Sequence, residues 1–177
     1  MSNLFNTRTE SYLIVAPTTQ EEMRDDFTRK LLRPGRQRYG NPDESGVLSE
    51  GQFSKSETLT IPVWELVKLR VSQINQCAFC IDMHSKDALS QGEASERILG
   101  LNAWRDMPFY SQIERAALEW AEHLTFGKPV SDDIYQEVID ELGEQAVVDL
   151  TIAVNAINSW NRIAKTFKPE VGSYKPQ

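Results

Sequence analysis

The most restrictive stretch in the 177-residue chain is AVVDLTIAVNAINSWNRIAKTF, Ala146–Phe167. On a helix, Val147, Val148, Leu150, Ile152, Ala153, Val154, Ile157, Trp160 and Ile163 spread around much of the circumference. A helix that is apolar on most sides needs cover on most sides. The segment therefore demands other helices around it, either as the central core helix of one protomer or through core and subunit contact together.

The chain before it supplies such helices. TTQEEMRDDFTRKLL reads as a helix, with Thr18 or Thr19 as N-cap and Glu21 or Glu22 three residues on. Arg33–Thr58 is rich in Gly, Ser, Pro and charge without an apolar period, and reads as a long loop or insertion. From Thr60 the pattern turns helical. Thr60 can cap, Pro62 suits a first turn, and Val63, Leu66, Val67, Val71 and Ile74 form a stripe. Further helices are expected at Ala78–Gln91, with Gly92 as the stop, and at Ser95–Trp104. Ser111 and Glu114 form a capping box opening a helix to about Thr125, and Ser131 caps Asp132–Leu142. VGSYKPQ reads as a loose tail, residues 168–177 being outside the helical pattern. Six or seven helices with no alternating strand make the class all-α, in a single domain spanning residues 1–177.

Charge narrows the function. The net charge of −7 argues against nucleic acid, whose binders usually present a basic face. No run of about 18 apolar residues exists for a membrane span. MSNLFNTRTE lacks the layout of a secretory signal, so the expected compartment is the cytoplasm. There, closely spaced cysteines favour redox chemistry or metal binding over a structural staple.

The chain has only two cysteines and two histidines, and CAFCIDMH, Cys77–His84, holds three of these four residues. Cys77 and Cys80 are three apart and His84 follows four later, so a helix brings all three to one face. A disulfide closing so small a ring restricts the unfolded chain by only about 2 kcal/mol. It is better suited to opening and closing than to stapling. A helix start also stabilises a thiolate through its free N–H groups and dipole. His84 can take the Cys80 proton, directly or through a water, and needs a carboxylate to set its own state. Asp82 faces elsewhere on the helix, whereas Glu65 lies in the preceding helix. On one straight helix Glu65 would sit about 18 Å from Cys77. A bend at SQINQ, Ser72–Gln76, would let Glu65 meet His84.

Glu65, twelve residues to Cys77, the CxxC pair and His84 together resemble the AhpD-like (alkyl hydroperoxidase D) family of the carboxymuconolactone decarboxylase superfamily. ELVKLRVSQINQCAFCIDMHSKDALSQG carries the likeness almost throughout, and PFYSQIERAALEWAEHLT and VVDLTIAVNAINSWNRIA extend it, so that it covers about Leu59–Phe167. The resemblance implies an all-helical fold assembled as trimers or hexamers, and a thiol peroxidase needing no cofactor or metal. By position, it implies that Cys80 attacks the peroxide, Cys77 resolves the sulfenic acid, and Glu65 and His84 relay the proton. It also implies a dithiol reductant, such as a lipoyl-bearing protein. Two features depart from the family pattern. Phe79 stands where the family relay has a histidine just before the second cysteine, and the Arg33–Thr58 insertion has no obvious counterpart.

Blander readings compete with this one. Two buried thiols would rarely fall at redox spacing beside a histidine. Zinc usually takes four ligands, and Cys77, Cys80 and His84 supply three, with Glu65 or His123 as the only evident fourth. His123, near Gly127, reads as a helix-end histidine. Trp64, Trp104, Trp120 and Trp160 read as core and interface. No Gly-rich phosphate loop points to a nucleotide or flavin. Two functional classes remain: a CxxC peroxidase or general disulfide oxidoreductase, and a non-enzymatic sensor or chaperone switched by the same disulfide.

Overall fold

The computed structural model of the chain describes residues 58–176. The expected helix in TTQEEMRDDFTRKLL and nearly all of the Arg33–Thr58 segment lie outside the described residues. Within them the chain is all-α: six α-helices form a bundle with no strand. They are α1 (Ile61–Ile74), α2 (Ala78–Ser90), α3 (Ser95–Gly100), α4 (Gln112–Phe126), α5 (Asp132–Leu142) and α6 (Glu144–Phe167), with a 3₁₀ turn at Leu101–Ala103. None of these helices is long and apolar enough to cross a membrane.

Local chemistry sets the ends. Ser111 accepts from the Glu114 backbone N–H while the Glu114 carboxylate accepts from Ser111 N–H, the reciprocal capping box. The Ser131 hydroxyl accepts from Ile134 N–H. Thr60 holds the N-cap position of α1 without a side-chain capping bond, and Pro62 sits in the first turn as its spacing predicts. The expected Ser95–Trp104 helix is α for six residues and then tightens to 3₁₀.

α1, more than α6, proves to be the central helix. Val63, Trp64, Val67 and Val71 pack in one apolar cluster with Ala117, Trp120 and Ala121 of α4, Val138 and Leu142 of α5, and Leu150, Val154 and Ile157 of α6. Leu66 and Leu69, on its other side, join Leu101, Trp104, Tyr110 and Leu118 in a second cluster. Helix α6 buries Val147, Leu150, Ala153, Val154 and Ile157, whereas Val148 and Trp160 are exposed in the single chain, at 54% and 41%. Of the four tryptophans expected in core and interface, Trp64, Trp104 and Trp120 are buried and Trp160 is partly exposed in the single chain.

The site is placed by the bend between α1 and α2. Gln76 adopts φ +54°, a left-handed conformation uncommon outside glycine and asparagine, and Cys77 N–H donates to Ser72 C=O at 3.0 Å. α6 clasps this bend. Asn75 donates to Asn158 (2.8 Å) and Asn161 (2.9 Å), Asn161 donates to Ser72 Oγ (3.1 Å), and Lys165 donates to Asn75 C=O (2.7 Å). Asn161 and Ser72 are wholly buried, so these partners replace water that the interior excludes.

The segment after α6 is a second correction. It is hydrogen-bonded to α2 and not loose: Gly172 N–H donates to Asp82 (3.2 Å), Lys86 donates to Gly172 C=O (3.3 Å) and Tyr174 C=O (3.1 Å), and the Tyr174 hydroxyl donates to Asp87 (2.8 Å). Its polar backbone finds these partners only because α2 packs against α1 and presents Asp82, Lys86 and Asp87 to it.

Candidate active site

Sequence places Cys77 just before α2 and Cys80 in its first turn, and both positions follow from the bend. Cys77 is the N-cap residue, with extended backbone, and its C=O accepts from Ile81 N–H at 2.9 Å. The two cysteines are joined as a disulfide with Cα atoms 5.3 Å apart, within ordinary reach of such a bond. His84 lies one turn beyond Cys80 on the same face.

The fold-back brings Glu65 of α1 to His84. Glu65 Oε2 and His84 Nδ1 are 3.0 Å apart, and Lys68 Nζ donates to Glu65 Oε1, also at 3.0 Å. All the groups expected from sequence are buried: Cys77 is 1% exposed, Cys80 3%, His84 5% and Glu65 6%, a degree of enclosure that excludes bulk water. Burial alone would raise the Glu65 pKa. The hydrogen bond with His84 and the charge of Lys68 outweigh it and hold the carboxyl below its usual value. An ionised Glu65 is an acceptor only, which assigns the proton of the contact to His84 Nδ1 and leaves Nε2 as the lone-pair nitrogen. That Nε2 is buried and has no hydrogen-bond partner among the described residues. Native interiors seldom leave such an atom unpaired.

Three further residues complete the surroundings. Lys68 follows Glu65 by three, a helical spacing that could have revealed it. Asp87 follows Cys80 by seven and His84 by three, so helical spacing places it on the same face of α2. Glu65, His84 and Asp87 each bring one ligand-capable atom within 4.8 Å of the others. They form the group among the described residues that could hold a metal. However, Lys68 already sits on Glu65 and the Tyr174 hydroxyl on Asp87, while the bonded cysteines offer no thiolate. Tyr174 is the third residue, and no local pattern links it to Asp87 across 87 positions. Burial raises the Asp87 pKa. Its hydrogen bond to Tyr174 opposes that, and the negative Glu65 adds to it.

The remaining candidates lie apart from this cluster. Asp82 pairs with Lys86 at 2.8 Å and with Gly172 N–H. His123 meets Glu119 at 3.0 Å and Pro129 C=O at 3.2 Å near the end of α4.

The fold and site therefore define an all-helical protein with a CxxC disulfide at a helix start and a carboxylate–histidine pair one turn away. The model of the carboxymuconolactone decarboxylase family matches residues 48–123. The chain is 47% identical over 115 residues to the uncharacterized protein YdfG of Bacillus subtilis, covering 64% of this chain and 78% of that one. It is 31% identical over 105 residues to the uncharacterized protein YnjA of Escherichia coli, covering 59% and 58%. It is also similar to a crystal structure from Agrobacterium tumefaciens, a protein of unknown function provisionally called the antioxidant defence protein AhpD. That likeness has a TM-score of 0.63 at 34% identity and covers 75% of this chain and 92% of that one. The chain belongs to the carboxymuconolactone decarboxylase family and is AhpD-like, a group associated with antioxidant defence.

Proposed function

We propose that this protein is a thiol peroxidase that reduces hydrogen peroxide or organic hydroperoxides through the Cys77–Cys80 pair. The observation that carries the reading is the buried His84 Nε2, without a hydrogen-bond partner among the described residues and held by Glu65 one helical turn from Cys80. In the reduced protein, His84 takes the Cys80 proton, directly or over one water, and the Glu65 carboxylate stabilises the resulting imidazolium. The thiolate attacks the peroxide O–O bond, giving Cys80 sulfenic acid and, with a proton from His84, the alcohol or water. Cys77 thiol then displaces hydroxide from the Cys80 sulfur, releasing water and forming the disulfide. A dithiol reductant, such as a lipoyl group on a partner protein, restores both thiols and leaves oxidised itself. A reducing cytoplasm and a trimeric or hexameric assembly belong to the same reading.

The test is thiol counting on reduced protein mixed with a slight excess of hydrogen peroxide or of an organic hydroperoxide. Rapid loss of two thiols per chain, reversible by a dithiol and abolished in Cys80→Ser, is expected. Loss no faster than that of an unactivated thiol would defeat the proposal. One observation favours a second reading, a redox-switched sensor or chaperone: both sulfurs are almost wholly enclosed, so turnover with a bulky partner requires an opening. On that reading, oxidation changes assembly or partner binding while peroxide consumption stays negligible.

A further inference from the structure

The contact between Asp87 and Tyr174 has no part in the cycle just described, yet it ends beside the Glu65–His84 pair. Asp87 is on the Cys80–His84 face of α2, and its ligand-capable atom lies within 4.8 Å of those of Glu65 and His84. The Tyr174 hydroxyl donates to Asp87 Oδ1 at 2.8 Å and fixes where that carboxylate points. Tyr174 is itself held, because Lys86 binds its C=O and Asp82 binds Gly172 N–H two residues earlier. The segment from Gly172 to Tyr174 therefore runs along α2 from Asp82 to Asp87 and delivers one hydroxyl to the edge of the buried site.

We propose that Asp87, oriented by Tyr174, is a positioning residue of the site: its carboxylate favours the protonated His84 that forms when Cys80 gives up its proton. The groups facing Asp87 are Glu65 and Lys68 from α1, His84 on its own helix and the Tyr174 hydroxyl from the C-terminal segment. Lys68 is bonded to Glu65 and also acts on Asp87, and Asp87 brings a second carboxylate within 4.8 Å of the imidazole. Seven residues of helix place Asp87 about 10 Å along the axis from Cys80, roughly twice its separation from the His84 site. Its attraction for the imidazolium therefore outweighs its repulsion of the thiolate. Asp87 and Tyr174 would link the docking of the C-terminal segment to the reactivity of a thiol in the first turn of α2.

The proposal rests on the Cys80–His84 proton transfer of the reading above but not on peroxide as the oxidant, and the test separates the two. In full-length Cys77→Ser protein, Cys80 is the single thiol. Its alkylation by iodoacetamide, measured from pH 5 to 9, reports thiolate whatever the physiological oxidant is. Asp87→Asn should slow alkylation near neutral pH by about tenfold and move the midpoint of the rate curve upward. Tyr174→Phe, which removes one oxygen atom and little packing, should do the same by about threefold. Asp87→Glu should restore most of the rate. Thermal melting of each variant identifies any loss of fold. A pH–rate curve in Asp87→Asn and Tyr174→Phe that overlays that of the parent would overturn the proposal. So would a uniform rate change with no movement of the midpoint, since a purely structural contact acts in that way. Failure of the parent to consume peroxide, with these alkylation shifts intact, would instead count against the peroxidase reading alone.

Discussion

Two glutamates, Glu65 on α1 and Glu122 on α4, are buried to the same extent, and their surroundings differ. Glu65 and Glu122 are each 6% exposed, and each is held below its usual pKa although burial alone would raise it. Glu122 is saturated: it accepts from Trp104 Nε1 at 2.9 Å, from Arg70 Nε at 2.7 Å and from Arg105 Nη1. Among the described residues no buried polar side-chain atom around it lacks a partner, as a structural network requires. Glu65 has two partners, Lys68 and His84, but His84 carries a buried nitrogen with no hydrogen-bond partner among the described residues. A buried carboxylate is thus no sign of function by itself. What sets Glu65 apart is a hydrogen-bond chain that ends, among the described residues, at an unpaired nitrogen one helical turn from Cys80.

The contrast is most strongly tested by removing the histidine. His84→Gln should reduce the rate of peroxide-driven thiol loss on the order of 100-fold while leaving the helical fold in place, as thiol titration and circular dichroism would register. An unchanged rate would put His84 with Glu122 among structural groups. The mirror experiment is Glu122→Leu, which leaves Arg70 and Trp104 Nε1 without their acceptor. It should cost about 3 kcal/mol in urea unfolding while the thiol chemistry per folded molecule changes little. A large activity loss at unchanged stability would erase the distinction.

Acid titration gives a smaller effect and a shared sign. The folded pKa values of Glu65 and Glu122 lie below the ordinary 4.5, so the unfolded chain takes up their protons first as pH falls. The stability each contributes is complete above 4.5 and is lost as pH drops through the lower folded value. Asp87 has the opposite sign. Its folded pKa lies above 3.8, so stability declines as pH rises from 3.8 through the raised value. Urea midpoints measured between pH 7 and pH 3 should therefore fall less steeply in Glu122→Gln than in the parent. In Asp87→Asn they should lose the opposing contribution. The smallest effect is expected at the bend. Gln76→Gly relieves a left-handed conformation but frees the unfolded chain, and should shift stability by less than about 1 kcal/mol in the same unfolding assay. A much larger loss would mean that the Gln76 side chain helps to set the bend.

What could be read from the chain alone is what neighbouring residues decide. The Ser111–Glu114 box, the Ser131 cap and the Asp132–Leu142 helix were legible because capping is a matter of three or four residues. The common face of Cys77, Cys80 and His84 was legible because a helix repeats every 3.6 residues. The same spacing held Lys68 and Asp87, but spacing alone does not tell a site residue from a solvated flank, and neither was singled out. The central place of α1 was missed. α6 is apolar around more of its circumference, yet only packing decides which helix the others surround. The meeting of Glu65 with His84 required the chain to turn back near Gln76, and the turn is held from a distance by Asn158 and Asn161 of α6. Tyr174 reaches Asp87 only after α2 has docked and exposed the partners that bind the intervening backbone. Local spacing determined the helices and the sulfur–histidine face with Asp87 on it, and the sequence pointed to Glu65 as the partner of His84. Tertiary structure alone closed that contact and brought the Tyr174 hydroxyl to Asp87, because hydrogen bonds between residues far apart in sequence form only once the helices between them have packed.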